Sequence, residues 1–203
     1  LIWCEATAVR QEGRSNPAQL MLTERTLGGF ARLVEETRAA ARKEWGPGHG
    51  LLLVLQLTHS GRFAKPDGTP QPLIVQNSPH LDPLHDLPPD TPLVSDDELA
   101  AIRDDFVEAA DLAASAGFDG VDVKACHGYL VSETLGAHSR EASRYGGPFE
   151  NRTRLLLEIV RHILGGKRRR LGREGLFRKT QHAQAAGSHP LHCRPYPLAL
   201  PPY

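Results

Sequence analysis

Short apolar runs alternate with longer amphipathic segments along the first 164 residues of this chain. Residues 1–9 and 51–57 are apolar runs of strand length, and the second is unbroken, as parallel strands covered on both faces require. Residues 118–123 form a third run of similar length, rich in valine and phenylalanine. The hydrophobic pattern therefore predicts three buried β-strands.

Helix signals separate these strands. Thr23 is predicted to cap a first helix. Ser95 and Glu98 form a capping box that opens a second helix, and Gly117 can end it at a left-handed position. Pro148 stands at a typical first helical position of a further helix. The apolar positions within these segments recur at helical spacing, and the first predicted helix covers residues 24–44.

The alternation of strand and helix predicts βα units with right-handed crossovers, and therefore an α/β fold with a parallel sheet. The pattern alone does not separate a closed barrel from an open, doubly wound sheet. A long loop rich in proline and aspartate, residues 58–94, is predicted to be functional because loops of that length are otherwise uncommon in compact domains.

The hydrophobic periodicity stops near residue 165, and the charge changes there as well. Residues 167–203 carry eight lysines and arginines against one acidic residue, Glu174, although the whole chain has a net charge of zero. We therefore divide the chain into a folded domain, 1–164, and a basic, proline- and histidine-containing tail, 165–203, which is predicted to be disordered.

The tail offers weak signals for binding. The basic run 167–170 is typical of nuclear addresses and nucleic-acid contacts, but a single short run is more often solvated charge. His189, His192 and Cys193 lack the spacing of a zinc module. We therefore expect neither a nucleic-acid partner nor a metal ion.

Composition bears on the cellular location of the protein. Three scattered cysteines are too few for a disulfide framework, which favours a reducing, cytoplasmic location. No apolar run reaches the length of a membrane span, and no signal peptide is recognisable. The chain begins without methionine inside a predicted strand, which indicates a fragment or a displaced start.

Chemistry is concentrated just after the third predicted strand. Lys124, His127 and Tyr129 follow its carboxyl end, which is where barrels of alternating strands and helices carry their active sites. Three different proton donors within six residues suit a substrate that has a polarisable oxygen and a nearby atom awaiting a proton.

Four motifs around these residues resemble the old yellow enzyme family of FMN-dependent ene-reductases and NADH:flavin oxidoreductases. The motifs are His-Gly-Tyr-Leu at 127–130, His-Ser-Arg at 138–140, Tyr-Gly-Gly at 145–147 and Glu-Asn-Arg-Thr-Arg at 150–154. Residues 1–9 and 56–62 resemble two earlier strand ends of the same fold. The resemblance covers residues 1–164 and implies a truncated (β/α)8 TIM barrel that retains strands two to four.

The resemblance also implies cofactors and roles. FMN would pass hydride from NAD(P)H to an electron-poor alkene, a small-molecule substrate. Tyr129 matches the proton donor to that alkene, and His127 matches one of two donors that hold its carbonyl oxygen. Lys124 takes the place of the second donor, where most relatives carry histidine. Gln56 matches a residue at the pyrimidine edge of the flavin, and Ala6 matches a small residue beside its ring.

Other motif residues are predicted to be structural. Arg62 should pair with a carboxylate or shape its loop, and His59 should also be structural. The glycines of the Tyr-Gly-Gly motif allow a tight turn, and three side chains should lock that turn by hydrogen bonds: Asn151, Arg152 and Arg154.

The sequence therefore predicts an FMN-dependent NAD(P)H oxidoreductase. Two alternatives stay open. One is an inactive fragment that cannot hold flavin, since strands five to eight and the phosphate site, which usually lies after strands seven and eight, are missing from the pattern. The other is a regulatory or interaction protein whose basic tail binds nucleic acid or an acidic partner. The sequence does not indicate an oligomeric state.

Overall fold

The computed structural model describes residues 1–170, with side chains as far as residue 165. Within this part the chain alternates strands and helices in the predicted order. The elements are β1 (Ile2–Ala8), α1 (Leu27–Trp45), β2 (Leu53–Thr58), α2 (Asp96–Ala116), β3 (Gly120–Val123), α3 (Leu130–Leu135) and α4 (Phe149–Arg170).

The three strands form one parallel sheet in the order β1-β2-β3. β2 is the middle strand, and its residue Leu55 pairs with Cys4 on β1 and with Val121 on β3. The register of β1 shifts between Cys4 and Thr7, so this edge strand is irregular near its carboxyl end. The parallel sheet predicted from the alternating pattern is confirmed.

One face of this sheet packs on helices and forms the core. Alternate residues of β2, Leu53, Leu55 and Leu57, are at most 1% exposed. They share one apolar cluster with Phe106 of α2 and Phe30 of α1. Two intervening positions, Val54 and Gln56, which alternation directs to the opposite face, are only half-buried, and Gln56 belongs to the site described below.

Local signals place the ends of α2 correctly. The Ser95 hydroxyl oxygen accepts a hydrogen bond from the Glu98 N–H at 3.0 Å, and Gly117 ends the helix with φ of 96°. By contrast, α1 begins at Leu27 rather than at residue 24. Thr23 heads a separate turn, because its carbonyl accepts from the N–H groups of both Thr26 and Leu27.

The start of β3, a short extra helix and the detail of the long loop were not predicted. β3 begins at Gly120, because Phe118 packs edge-on against Phe30 and the Asp119 carboxylate accepts a bond from the Leu53 N–H at 2.9 Å. Helix α3 was not predicted, since six residues are too few for a clear period. The long loop 58–94 contains two 3-10 turns, Gly61–Phe63 and Asp82–His85.

The predicted boundary after residue 164 falls inside α4, and the compact unit of the fold spans Leu1–Gly166. Residues 171–203 lie outside the described residues, so the predicted disorder of the tail stays a prediction there. Within the described part, no helix combines the length and the apolar composition that crossing a bilayer requires.

Candidate active site

The three predicted proton donors lie together at the carboxyl end of β3. Lys124 continues the strand direction, since its N–H donates to the Leu57 carbonyl at 3.0 Å. Its Nζ atom lies 4.3 Å from the centroid of the Tyr129 ring, a cation–π contact. The His127 and Tyr129 ring centroids are 6.3 Å apart. Lysine, imidazole and phenol therefore share one small region.

A tight turn makes this grouping possible. His127 and Gly128 both adopt left-handed backbone conformations, with φ of 62° and 66°. The Tyr129 N–H then donates to the Cys126 carbonyl at 3.3 Å, which closes the turn. A left-handed histidine is uncommon and costs free energy, so the surrounding contacts must hold it in place. The turn brings Tyr129 back beside Lys124.

Tyr129 is held from two sides. Its ring packs 5.9 Å from the ring of Phe63, which in turn contacts His85. Its carbonyl accepts the N–H of Glu133 at 2.8 Å in the first turn of α3. The neighbouring Leu130 N–H donates to the His59 carbonyl at 3.1 Å, which ties this turn to the loop after β2.

Ala6 and Tyr129 line the same cavity, of about 330 Å³, between the ends of β1 and β3. The methyl side chain of Ala6 is half-buried, and its carbonyl accepts a hydrogen bond from Gln19 at 2.9 Å. The described lining does not include Gln56, Lys124 or His127. The remaining lining residues are Glu5, Ser15, Asn16, Ala18 and Gln19.

Gln56 is oriented by a residue that the sequence reasoning missed. Its Nε2 donates to Oδ2 of Asp122 at 2.6 Å, and Nε1 of Trp3 reaches the same oxygen at 3.3 Å. Gln56 and Asp122 are register partners on β2 and β3, so their side chains share one face of the sheet. Alternation within β3 was the available signal, because Asp122 lies two residues before Lys124.

These residues fit the flavin ring that the resemblance implies. One N–H of the Gln56 amide donates to Asp122. The Oε1 acceptor and the second N–H donor of Gln56 remain for the edge of the flavin ring, which offers both a donor and an acceptor. Ala6 adds little bulk where a planar ring would lie. The donor set at Lys124, His127 and Tyr129 fits an acceptor molecule that carries an oxygen.

Arg62 joins the long loop to α3. The residue is 2% exposed, and its guanidinium donates to Oδ1 of Asp82 at 2.5 Å, to Oε1 of Glu133 at 2.6 Å and to the Gln76 carbonyl at 2.8 Å. Burial raises the pKa of Glu133, and Arg62 opposes that shift. Burial also opposes ionisation of Asp82, but hydrogen bonds from Ser78 and Arg62 outweigh it and lower its pKa. The predicted pairing of Arg62 with a carboxylate is confirmed.

His59 is part of the same buried loop. It is 1% exposed, and its Nδ1 accepts the Gly61 N–H at 3.1 Å, which places the ring proton on Nε2. Burial lowers the pKa of His59 to about 3, and the nearby Arg10 adds to that shift. His59 is therefore neutral and buried, which favours the predicted structural role.

The Tyr-Gly-Gly turn is locked as predicted. Arg152 Nε donates to the Gly147 carbonyl at 3.0 Å, Arg154 Nε donates to the Arg144 carbonyl at 2.9 Å, and the Asn151 amide reaches the Ser143 carbonyl at 3.3 Å. A Cβ at Gly146 would lie 2.5 Å from the Arg140 carbonyl oxygen, so this position has room only for glycine.

A thiol contacts the site, since Cys126 Sγ lies 3.4 Å from Nδ1 of His127. Residues 1–165 contain no group of three or more histidine, cysteine or acidic side chains able to hold a metal ion. Cys4 and Cys126 are both free thiols. His189, His192 and Cys193 lie outside the described residues, as does most of the basic tail.

Comparison with known proteins supports the resemblance. The model of the NADH:flavin oxidoreductase / NADH oxidase family matches residues 1–178. An NADPH dehydrogenase of Halalkalibacterium halodurans is 33% identical over 165 residues, which are 80% of this chain and 44% of that protein. An NADH oxidase of Thermoanaerobacter brockii is 31% identical over 154 residues, which are 75% of this chain and 22% of the enzyme.

Solved structures agree. The old yellow enzyme homologue from Zymomonas mobilis superposes with a TM-score of 0.63 and 26% identity, over 80% of this chain and 46% of that structure. The chain thus spans less than half the length of these relatives. Since the family model covers most of its length and the motif residues occupy the site, the chain belongs to the NADH:flavin oxidoreductase / NADH oxidase family, that of old yellow enzyme.

Proposed function

We propose that this chain carries the substrate side of an FMN-dependent NAD(P)H oxidoreductase that reduces an activated alkene or a related acceptor. The grouping of Lys124, His127 and Tyr129 beside the cavity lined by Ala6 is the observation that carries this proposal. FMN, when bound, supplies hydride transfer between the nicotinamide and the acceptor.

Tyr129 is the proposed proton donor. A phenol stays protonated at neutral pH yet can release its proton to a developing carbanion. Its ring is clamped by Phe63 and Lys124, and its backbone starts α3, so the hydroxyl is carried on a rigid support. Such support favours proton transfer because the reacting groups need no further ordering.

Lys124 and His127 are the proposed holders of the acceptor oxygen. Both can donate hydrogen bonds to an oxygen that gains negative charge as hydride arrives at the β-carbon. The ammonium is a compact point charge, whereas the imidazole is a directional donor, so the pair combines charge with orientation.

Gln56 and Ala6 are the proposed flavin contacts. Asp122 fixes the Gln56 amide, and Ala6 leaves room for a planar ring. We further infer that β1, β2 and β3 are strands two to four of a (β/α)8 barrel, an inference supported by their parallel order and the match to an old yellow enzyme homologue. A cytoplasmic location stays a prediction based on cysteine usage.

The test is to purify the chain, add FMN and follow NAD(P)H oxidation with 2-cyclohexenone as acceptor. We expect bound flavin and enone reduction. Tyr129→Phe should lower the rate of enone reduction about 100-fold, which is the lower end of the range for loss of a general acid. Reduction of the flavin by NAD(P)H should continue in this variant. Tyr145→Phe is the matched control, since that phenol donates to Glu158 away from the site.

Three outcomes would overturn the proposal. A chain that stays colourless with excess FMN would support the inactive fragment. Equal rates for Tyr129→Phe and Tyr145→Phe would remove Tyr129 from the chemistry. Retention on DNA that falls with added salt, in a colourless protein, would support binding through the basic tail instead.

A further inference from the structure

The ammonium group of Lys124 has no counter-ion among the described residues. Its one recorded side-chain contact is the Tyr129 ring, with Nζ 4.3 Å from the centroid. The carboxylate nearest along the strand belongs to Asp122, which is already engaged by the Gln56 amide and the Trp3 indole. Lys124 is half-buried, and among the described residues no carboxylate forms an ion pair with its ammonium group, so an anion bound there would have no such partner to displace.

The cation–π contact leaves most of the charge of Lys124 available. An aromatic ring attracts a cation through its quadrupole but carries no net charge. The ammonium has three N–H donors. The ring of Tyr129 faces it from one side, so the other donors remain for a bound molecule.

Apart from Asp122, the groups around the site provide little competing negative charge. Serine, asparagine and glutamine side chains make up the polar lining of the cavity beside Tyr129, and Glu5 is its one acidic residue. Glu5 is exposed, so water and salt screen its carboxylate. His127, the other ionisable neighbour of Tyr129 apart from Lys124, adds a further donor and no negative charge.

We propose that Lys124 makes this site selective for acceptors that bear a carboxylate, namely α,β-unsaturated carboxylates. This inference rests on the proposed function, because it names the substrate class of the same site. The carboxylate would accept bonds from Lys124 and His127, and the α-carbon would face Tyr129. The Lys124 ammonium forms an ion pair with a carboxylate but only an ion–dipole hydrogen bond with a neutral carbonyl, so an amide or ester of the same shape binds more weakly.

The atoms and electrons of the proposed reaction balance as in any alkene reduction. The β-carbon gains hydride that comes from NAD(P)H, which is oxidised to NAD(P)⁺. The α-carbon gains the phenolic proton of Tyr129, which solvent then replaces. The carbon–carbon double bond becomes a single bond, while the carboxylate on Lys124 is unchanged and leaves with the saturated product.

The experiment compares trans-cinnamate with trans-cinnamamide, which differ chiefly in charge. Each is titrated calorimetrically into the FMN-treated chain. We expect cinnamate to bind at least about tenfold more tightly. Lys124→Gln should weaken cinnamate about tenfold and cinnamamide less than about threefold, and Lys124→Arg should restore most of the cinnamate affinity. Lys65→Gln is the matched control, because it removes the same charge at an exposed position.

A second measurement needs no variant. Raising the salt concentration from 50 to 500 mM should weaken cinnamate and leave cinnamamide nearly unchanged, because only the anion depends on an ion pair. Equal affinity of the two ligands in the unaltered protein overturns the inference, and so does equal loss of cinnamate binding in Lys124→Gln and Lys65→Gln.

Reduction of a neutral acceptor separates the two proposals. If the protein reduces cinnamaldehyde with NAD(P)H but does not prefer cinnamate, this inference fails and the proposed function stands. If cinnamate binds through Lys124 but no acceptor is reduced, the proposed function fails and the carboxylate site stands.

Discussion

Gln56 Nε2 and Asp122 Oδ2 lie 2.6 Å apart across the parallel pairing of β2 with β3. The bond connects two side chains on the half-buried face of the sheet. It also fixes which way the Gln56 amide points, since only its nitrogen can donate to a carboxylate. The indole of Trp3 reaches the same oxygen from β1. One carboxylate therefore links all three strands at the proposed flavin contact.

Asp122→Ala should weaken FMN binding. Without the carboxylate the Gln56 amide can rotate. Losing the hydrogen bond that orients it should cost about 1 kcal/mol of FMN binding free energy, which corresponds to a Kd about fivefold higher. The Kd is measured by quenching of flavin fluorescence. Asp104→Ala, at an exposed partner of Arg103, is the control and should leave the Kd unchanged. An unchanged Kd in Asp122→Ala would remove the orienting role.

Arg62→Met should destabilise the folded domain by about 3–5 kcal/mol, because it leaves two buried carboxylates, Asp82 and Glu133, without their cation. Urea unfolding followed by circular dichroism gives the free energy of unfolding. Arg103→Met, whose ion pairs are more exposed, should cost less than about 1 kcal/mol. Adding Glu133→Gln to Arg62→Met should recover part of the loss, and no recovery would argue against a charge effect.

Stability should fall on acidification because of His59. Its pKa is about 3 in the fold against about 6.5 when unfolded, so the unfolded chain binds the proton first. The contribution of the neutral ring is full above pH 6.5 and is lost as the pH falls from 6.5 towards 3. By pH 5 the loss is about 2 kcal/mol.

His59→Gln isolates this effect, since glutamine does not titrate. The free energy of unfolding is measured by urea titration at pH 7 and pH 5 for both proteins. The variant should be less stable at pH 7 and should depend less steeply on pH. Parallel pH curves for the two proteins would show that other groups cause the acid sensitivity.

Gly146→Ala should destabilise the Tyr-Gly-Gly turn. The added Cβ would lie 2.5 Å from the Arg140 carbonyl oxygen, and the resulting overpacking typically costs about 1–3 kcal/mol. Gly29→Ala is the control, because a Cβ there meets no atom within 4 Å and lies in α1. That change should raise stability by about 0.5–1 kcal/mol. Thermal unfolding of both variants compares the two effects, and a more stable Gly146→Ala would contradict the clash.

Features that depend on a few neighbouring residues were predictable. The Ser95 cap and the Gly117 helix end each rest on bonds within a single turn, so the local sequence contains the whole interaction. The locks on the Tyr-Gly-Gly turn by Arg152 and Arg154 were likewise anticipated from a compact motif. Where distant residues intervene, prediction was less exact: β3 starts two residues late, because Asp119 is bound by Leu53 and Arg38.

The sequence by itself determined the order of strands and helices, the parallel sheet and the motif that places three proton donors after β3. These depend on hydrophobic period and residue type, which are visible along the chain. Only the tertiary structure decided that Asp122 orients Gln56, that Arg62 joins Asp82 to Glu133, and that Lys124 lies against Tyr129 with no counter-ion among residues 1–165. Most of these contacts join residues far apart in the chain. The Gln56–Asp122 contact depends on the register of β2 and β3, and the Lys124–Tyr129 contact depends on the left-handed turn at His127; no local pattern encodes either feature.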